Sequence, residues 1–126
     1  MITRASIIAR YAAGERNFRG LNLDCEALDF SGTVLVGADF SESFIVASFR
    51  GANLAGTLFE HCNVKTCDFC HANLEGASFS NSAIDGAEFA GASLVGASFE
   101  GANEQGHVYA ANEYQLVQQA HLVPNN

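Results

Sequence analysis

Residues 47–99 read ASFRG ANLAG TLFEH CNVKT CDFCH ANLEG ASFSN SAIDG AEFAG ASLVG ASF. Every fifth position from Phe49 is large and apolar: Phe49, Leu54, Phe59, Val64, Phe69, Leu74, Phe79, Ile84, Phe89, Leu94 and Phe99. A helix repeats near 3.6 residues and a strand at 2, so neither produces this spacing. Two residues before each large side chain stands a small one, such as Ala52, Thr57, Cys62, Cys67 or Ala72. Two residues after most of them stands Gly, and ten of the twelve glycines fall in that column. If the large residue and the small one before it point the same way, five residues make one short flat side. Gly then permits the positive φ of a tight corner.

A second period says how the sides close. Twenty residues apart stand Phe49, Phe69, Phe89 and then Tyr109; Leu54, Leu74, Leu94 and then Tyr114; Phe59, Phe79 and Phe99; Val64 and Ile84. Four sides per coil is the simplest closure that stacks like on like. The pattern extends to the N-terminal part with two slips. Phe49 lies nine residues past Phe40, so one side near Ser43 to Val46 is a residue short, and either Ile45 or Phe44 fills its inner slot. Leu23 precedes Phe30 by seven, which predicts a bulge at a corner around Cys25 to Ala27. With both slips admitted, Phe18 and Phe40 join the column of Phe59, Phe79 and Phe99, while Phe30 joins Phe49, Phe69 and Phe89.

The triplets Ala38-Asp39-Phe40, Ala52-Asn53-Leu54 and Ala72-Asn73-Leu74 resemble the A-(D/N)-L-x-x motif of the pentapeptide-repeat family, centred on Leu or Phe, and the likeness runs over about residues 16 to 101. It implies an all-β solenoid, the family's right-handed quadrilateral β-helix. The segment from Arg10 to Phe18 is similar to the lead-in of cyanobacterial members. Seventeen sides from Phe18 to Phe99 predict a little over four coils, about 20 Å tall at the spacing of paired strands.

A stacked solenoid leaves open edges and an apolar cross-section at its ends. Residues 4–12 predict a helix after Thr3 as N-cap, with Ile7, Ile8, Tyr11 and Ala12 on one stripe and Gly14 as its stop. At the other end Glu104 sits where a core residue is due. Asn112 with Gln115 resembles a capping box, and Leu116, Ala120 and Val123 continue at helical spacing until Pro124. The expected division is residues 1–14 as an N-terminal capping helix, 15–106 as the β-helix and 107–126 as a C-terminal helix or tail.

The length of 126 residues suits one domain. Ile7-Ile8 is too short an apolar run for a leader, no stretch is apolar enough to span a bilayer, and four cysteines without framework spacing suit reduced thiols. The expected compartment is the cytoplasm. Net charge is −8, and Arg4, Arg10, Arg16 and Arg19 all precede residue 20, leaving Arg50 and Lys65 against thirteen acids. Without a basic stripe, direct nucleic-acid binding is not expected.

His61, Cys62, Cys67, Cys70 and His71 are zinc-ligand types. By register, Cys62 and Cys67 face inward as small core residues, whereas Cys70 and both histidines face water, so they do not share an ion. No metal or cofactor is expected. Asp68 and Glu88 fall in one outward column, where proximity of like charges raises a carboxyl's pKa. Nothing in the sequence surrounds them with a cavity, and no nucleophile triad or phosphate-binding loop occurs. A convex surface offers poor ground for an enzyme.

Outward apolar residues are the more useful signal. Val34 and Val36 flank Leu35, with Ala55 and Val95 in the same column further along; Phe44 or Ile45 points outward beside Val46. Val34, Val36, Phe44, Val46 and Val95 are therefore the candidate protein-contact surface. The expected function is a non-catalytic interaction or scaffolding module with an unknown protein partner, monomeric or weakly dimeric. The alternative comes from the resemblance: some members of the family mimic DNA and bind a type II topoisomerase (gyrase). Here the acids are spread over three sides, with Lys65 interrupting one, which disfavours that alternative.

Overall fold

The computed structural model describes residues 2–111, 113 and 117, with the side chains of 25–27 excluded. The elements are α1 (Arg4–Ala12), β1 (Asn22–Asp29), β2 (Phe44–Ser48), β3 (Asn103–Glu104) and β4 (His107–Val108). Elsewhere from Asn17 to Asn103 the coils pair residue by residue, in bridges too short to count as strands. These bridges are all parallel and fall into four ladders. In the order the chain visits them from Val34 onward, the first runs Val34, Asn53, Asn73, Ser93; the second Asn17, Asp39, Leu58, Ser78, Ser98; the third Phe44, Asn63, Ala83, Asn103; the fourth Ser48, Asp68, Glu88. The chain visits the ladders in rotation, so each is one side of a closed coil and alternate ladders lie on opposite sides.

Backbone groups pair between coils in both directions: Leu54 N–H donates to Asn73 C=O at 2.8 Å, and Asn73 N–H to Ala52 C=O at 2.9 Å. At the corners Ala52 N–H reaches back to Phe49 C=O at 3.0 Å, and Thr57 N–H to Leu54 C=O at 3.1 Å. With positive φ at Gly51 and Gly56 in the third position, these are type II turns.

The inner lining follows the register. Each large residue from Phe18 to Phe99 is at most 3% exposed. Phe rings one coil apart stack nearly parallel, as with Phe49 and Phe69 (5.2 Å, 2°) and Phe79 and Phe99 (5.0 Å, 5°). Rings of neighbouring columns meet edge to face, as Phe69 and Phe79 do (5.2 Å, 82°), an arrangement the aromatic quadrupole favours. Polar residues in the small inward column are tolerated because they find backbone partners, several of them carbonyls. Thr57 Oγ1 donates to Leu54 C=O at 2.5 Å, Cys62 Sγ to Phe40 C=O at 3.1 Å and Cys67 Sγ to Ile45 C=O at 3.2 Å. Among the described residues no buried side-chain N or O lacks a partner.

Both slips have structural counterparts. Ile45 takes the inner slot and is fully buried, leaving Phe44 45% exposed. In the β1–β2 pairing, Leu23 faces Ile45 and Leu28 faces Ala47, with the register shifting between them. The extra chain around 25–27 is therefore a bulge in the wall, and the core positions stay aligned.

α1 begins with a reciprocal capping box, Ser6 N–H to Thr3 Oγ1 at 3.1 Å and Thr3 N–H to Ser6 Oγ at 3.0 Å. Ile7 is buried in the core, and Ile8 and Tyr11 pack against it. Ala12, expected on the same stripe, is exposed, while its neighbour Tyr11 holds the contact with the coil. Tyr11 OH donates to Val36 C=O at 2.8 Å, and the Arg16 guanidinium lies over the Tyr11 ring at 3.6 Å, which ties the helix to the first coil.

At the far end β4 runs antiparallel to β3. Tyr109 N–H donates to Ala102 C=O at 2.9 Å and its hydroxyl to Glu104 at 2.7 Å. Tyr109 was expected to extend the Phe89 column by parallel stacking. Instead the chain has reversed, and the Tyr109 ring lies tilted against Phe99 at 6.4 Å and 59°. The expected C-terminal helix, from Asn112 to Pro124, lies almost wholly outside the described residues; of these Val117 is buried. No helix among the described residues is long and apolar enough to cross a membrane.

Candidate functional site

The five candidate contact residues fall on two opposite sides. Val34 (56% exposed), Val36 (37%) and Val95 (64%) lie beside the leucines, in the outward positions flanking Leu35 and Leu94. Phe44 and the half-buried Val46 belong to the ladder on the far side of the coil. Each side chain is aimed by its neighbour: a buried Leu or Ile at one position turns the residues before and after it outward.

The side beside the leucines is flat. Its floor is an Asn ladder in which Asn73 Nδ2 donates to Asn53 Oδ1 at 3.2 Å, while each Asn Oδ1 also accepts the N–H two residues on, from Ala55 at 3.3 Å and Glu75 at 3.1 Å. Glu75 is held in turn by Ser93 Oγ at 3.1 Å. One bounding corner carries Gly37, Gly56, Gly76 and Gly96, all at positive φ, each directly after Val36, Ala55, Glu75 or Val95 in its turn.

Two further sides carry acids held by ion pairs and hydrogen bonds. Arg19 binds Asp39 at 3.0 Å and Glu42 at 3.2 Å, and Ser78 Oγ donates to Glu60 at 2.8 Å. On the side of Ser48, Asp68 and Glu88, Arg50 lies 3.4 Å from Asp68. Of Asp68 and Glu88, where like charge could raise one carboxyl, Asp68 is lowered instead. Burial acts to raise it, but the Cys70 N–H at 2.8 Å, the Cys70 thiol and Arg50 outweigh burial and hold Asp68 below the ordinary value of 3.8. Asp39 is lowered in the same way: burial is opposed by Ser41 and Arg19.

The cysteines need one correction. Cys62 and Cys67 line the interior, and burial pushes their thiols up to about 11 and about 12. Cys70 is in the outward column, as its register demands, yet it is buried instead of exposed. Coils stack so closely that a short thiol is covered by the longer side chains around it, with Asp68 and Glu88 both within 4.8 Å of its ligand atom. Burial and these carboxylates raise its pKa, which removes the nucleophilic character an exposed thiol would have. His61 and His71 are exposed at corners and do not approach this group.

Sequence reasoning missed Val108, 58% exposed on β4, because the chain reversal after Glu104 leaves no repeat to place it. It also missed the left-handed corner residues Glu42, His61, Thr66, His71, Asn81 and Gln105. Their signal was available, as the positions where the glycine column is interrupted.

Pentapeptide repeats, in eight copies, are matched over residues 47–83 and 72–103. The chain is 30% identical to a pentapeptide repeat protein of the Arabidopsis thaliana thylakoid lumen, over 79% of this chain and 75% of that one, with a TM-score of 0.49. It is 26% identical to alr5209, a pentapeptide repeat protein from Nostoc PCC 7120, over 95% and 93% of the two chains, also at 0.49. A more distant likeness is to QnrB1, a plasmid-mediated fluoroquinolone resistance protein, at 18% identity over 71% and 70% with a TM-score of 0.33. No curated protein matches the chain. The chain belongs to the pentapeptide repeat family, which implies a right-handed β-helix.

Proposed function

We propose that the protein is a non-catalytic interaction module in the cytoplasm, a column of about four coils closed at its N-terminal end by α1. It presents flat side-chain ladders to a protein partner. The observation that carries this is the side beside the leucines, where Val34, Val36 and Val95 stand exposed along an Asn-Ser ladder. An apolar surface held flat by a rigid core loses little conformational entropy on docking. Outward ladders also diverge around the column, whereas catalysis needs groups that converge.

Affinity capture from the native host with the wild type, Val36→Glu and Phe44→Glu tests the reading and separates the two opposite sides. Loss of a captured protein in one variant locates the working side. Capture unchanged in both removes the apolar surface as the contact. The gyrase-binding reading needs a continuous acidic track, and Arg19 and Arg50, each paired to the acids it interrupts, weigh against it. Inhibition or drug protection in a supercoiling assay at low concentration would revive it.

A further inference from the structure

We draw no further inference here: the strongest candidate, the side-chain cluster of Asp68, Cys70 and Glu88 on the fourth ladder, is two carboxylates and a lone cysteine whose ligand atoms lie within 4.8 Å of one another, and beyond the bonds that already hold Asp68 to the Cys70 N–H and Arg50 nothing in the structure points to an ion there.

Discussion

The lowest coil and those above it join the same two inner columns with different lengths of chain. Seven residues separate Leu23 from Phe30, four separate Ile45 from Phe49, and five separate Val64 from Phe69. Yet Phe30 stacks on Phe49 at 5.4 Å and 12°, scarcely less regularly than Phe49 on Phe69. The wall absorbs the difference, as a bulge between Leu23 and Leu28 and as a short side that turns Phe44 out. Inner positions are held to the coil spacing because each ring touches the rings above and below. The outer chain between two corners has water on one side and can lengthen locally.

The sharpest break in that comparison is a core truncation. Phe69→Ala leaves an unfilled volume between two stacked rings and two edge-on ones, and is expected to cost about 3–5 kcal/mol in urea unfolding. Phe18→Ala, with a single stacked neighbour and a cover of Arg10, should cost less. Equal losses would mean that stacking along the column contributes nothing beyond burial.

Corners come next. Gly76 and Gly91 share positive φ, but only at Gly91 would a Cβ meet the His71 ring. Gly76→Ala should cost about 1 kcal/mol from backbone strain, and Gly91→Ala more. Adding His71→Ala to Gly91→Ala should recover the excess, measured by thermal melts.

Acid should act more gently. Asp39 and Asp68 titrate below 3.8 in the folded protein, so their contribution to stability is present above the unfolded value. It fades as pH falls through the lower folded values. Melting temperature is expected to drop below about pH 4, and less so in Arg50→Ala, where Asp68 has lost a partner. An unchanged acid limb in that variant would remove Arg50 from the account.

The smallest effect is expected from deleting residues 25–27, which makes the lower strand as short as the one above it. Stability should change by less than about 1 kcal/mol, whereas deleting 66–68 from the regular coils should abolish cooperative unfolding by misplacing Phe69. A severe loss from the first deletion would show that the bulge braces the coil.

Much of the molecule was legible in the chain because five-residue sides leave one inward pair per side. That single constraint identified the lining, the glycine corners, both slips and the inward thiols. Cys70 was misjudged because register gives direction and not cover: whether an outward side chain meets water depends on its neighbours one coil away, about twenty residues distant. The lowering of Asp68 likewise lay beyond register, since the groups responsible include Arg50 from the coil below.

The choice between Ile45 and Phe44 also belonged to the tertiary structure, for both are apolar and the short side admits either. Only the stack of Leu23, Ile45 and Val64 decides which enters. By itself, then, the sequence determined the period, the closure into four sides and the residues that line them, because those follow from local alternation and from corners that favour glycine. Three-dimensional packing decided how far each outward residue meets solvent, which carboxylates are paired, and that the candidate contacts stand on opposite walls, because all three depend on distances between coils.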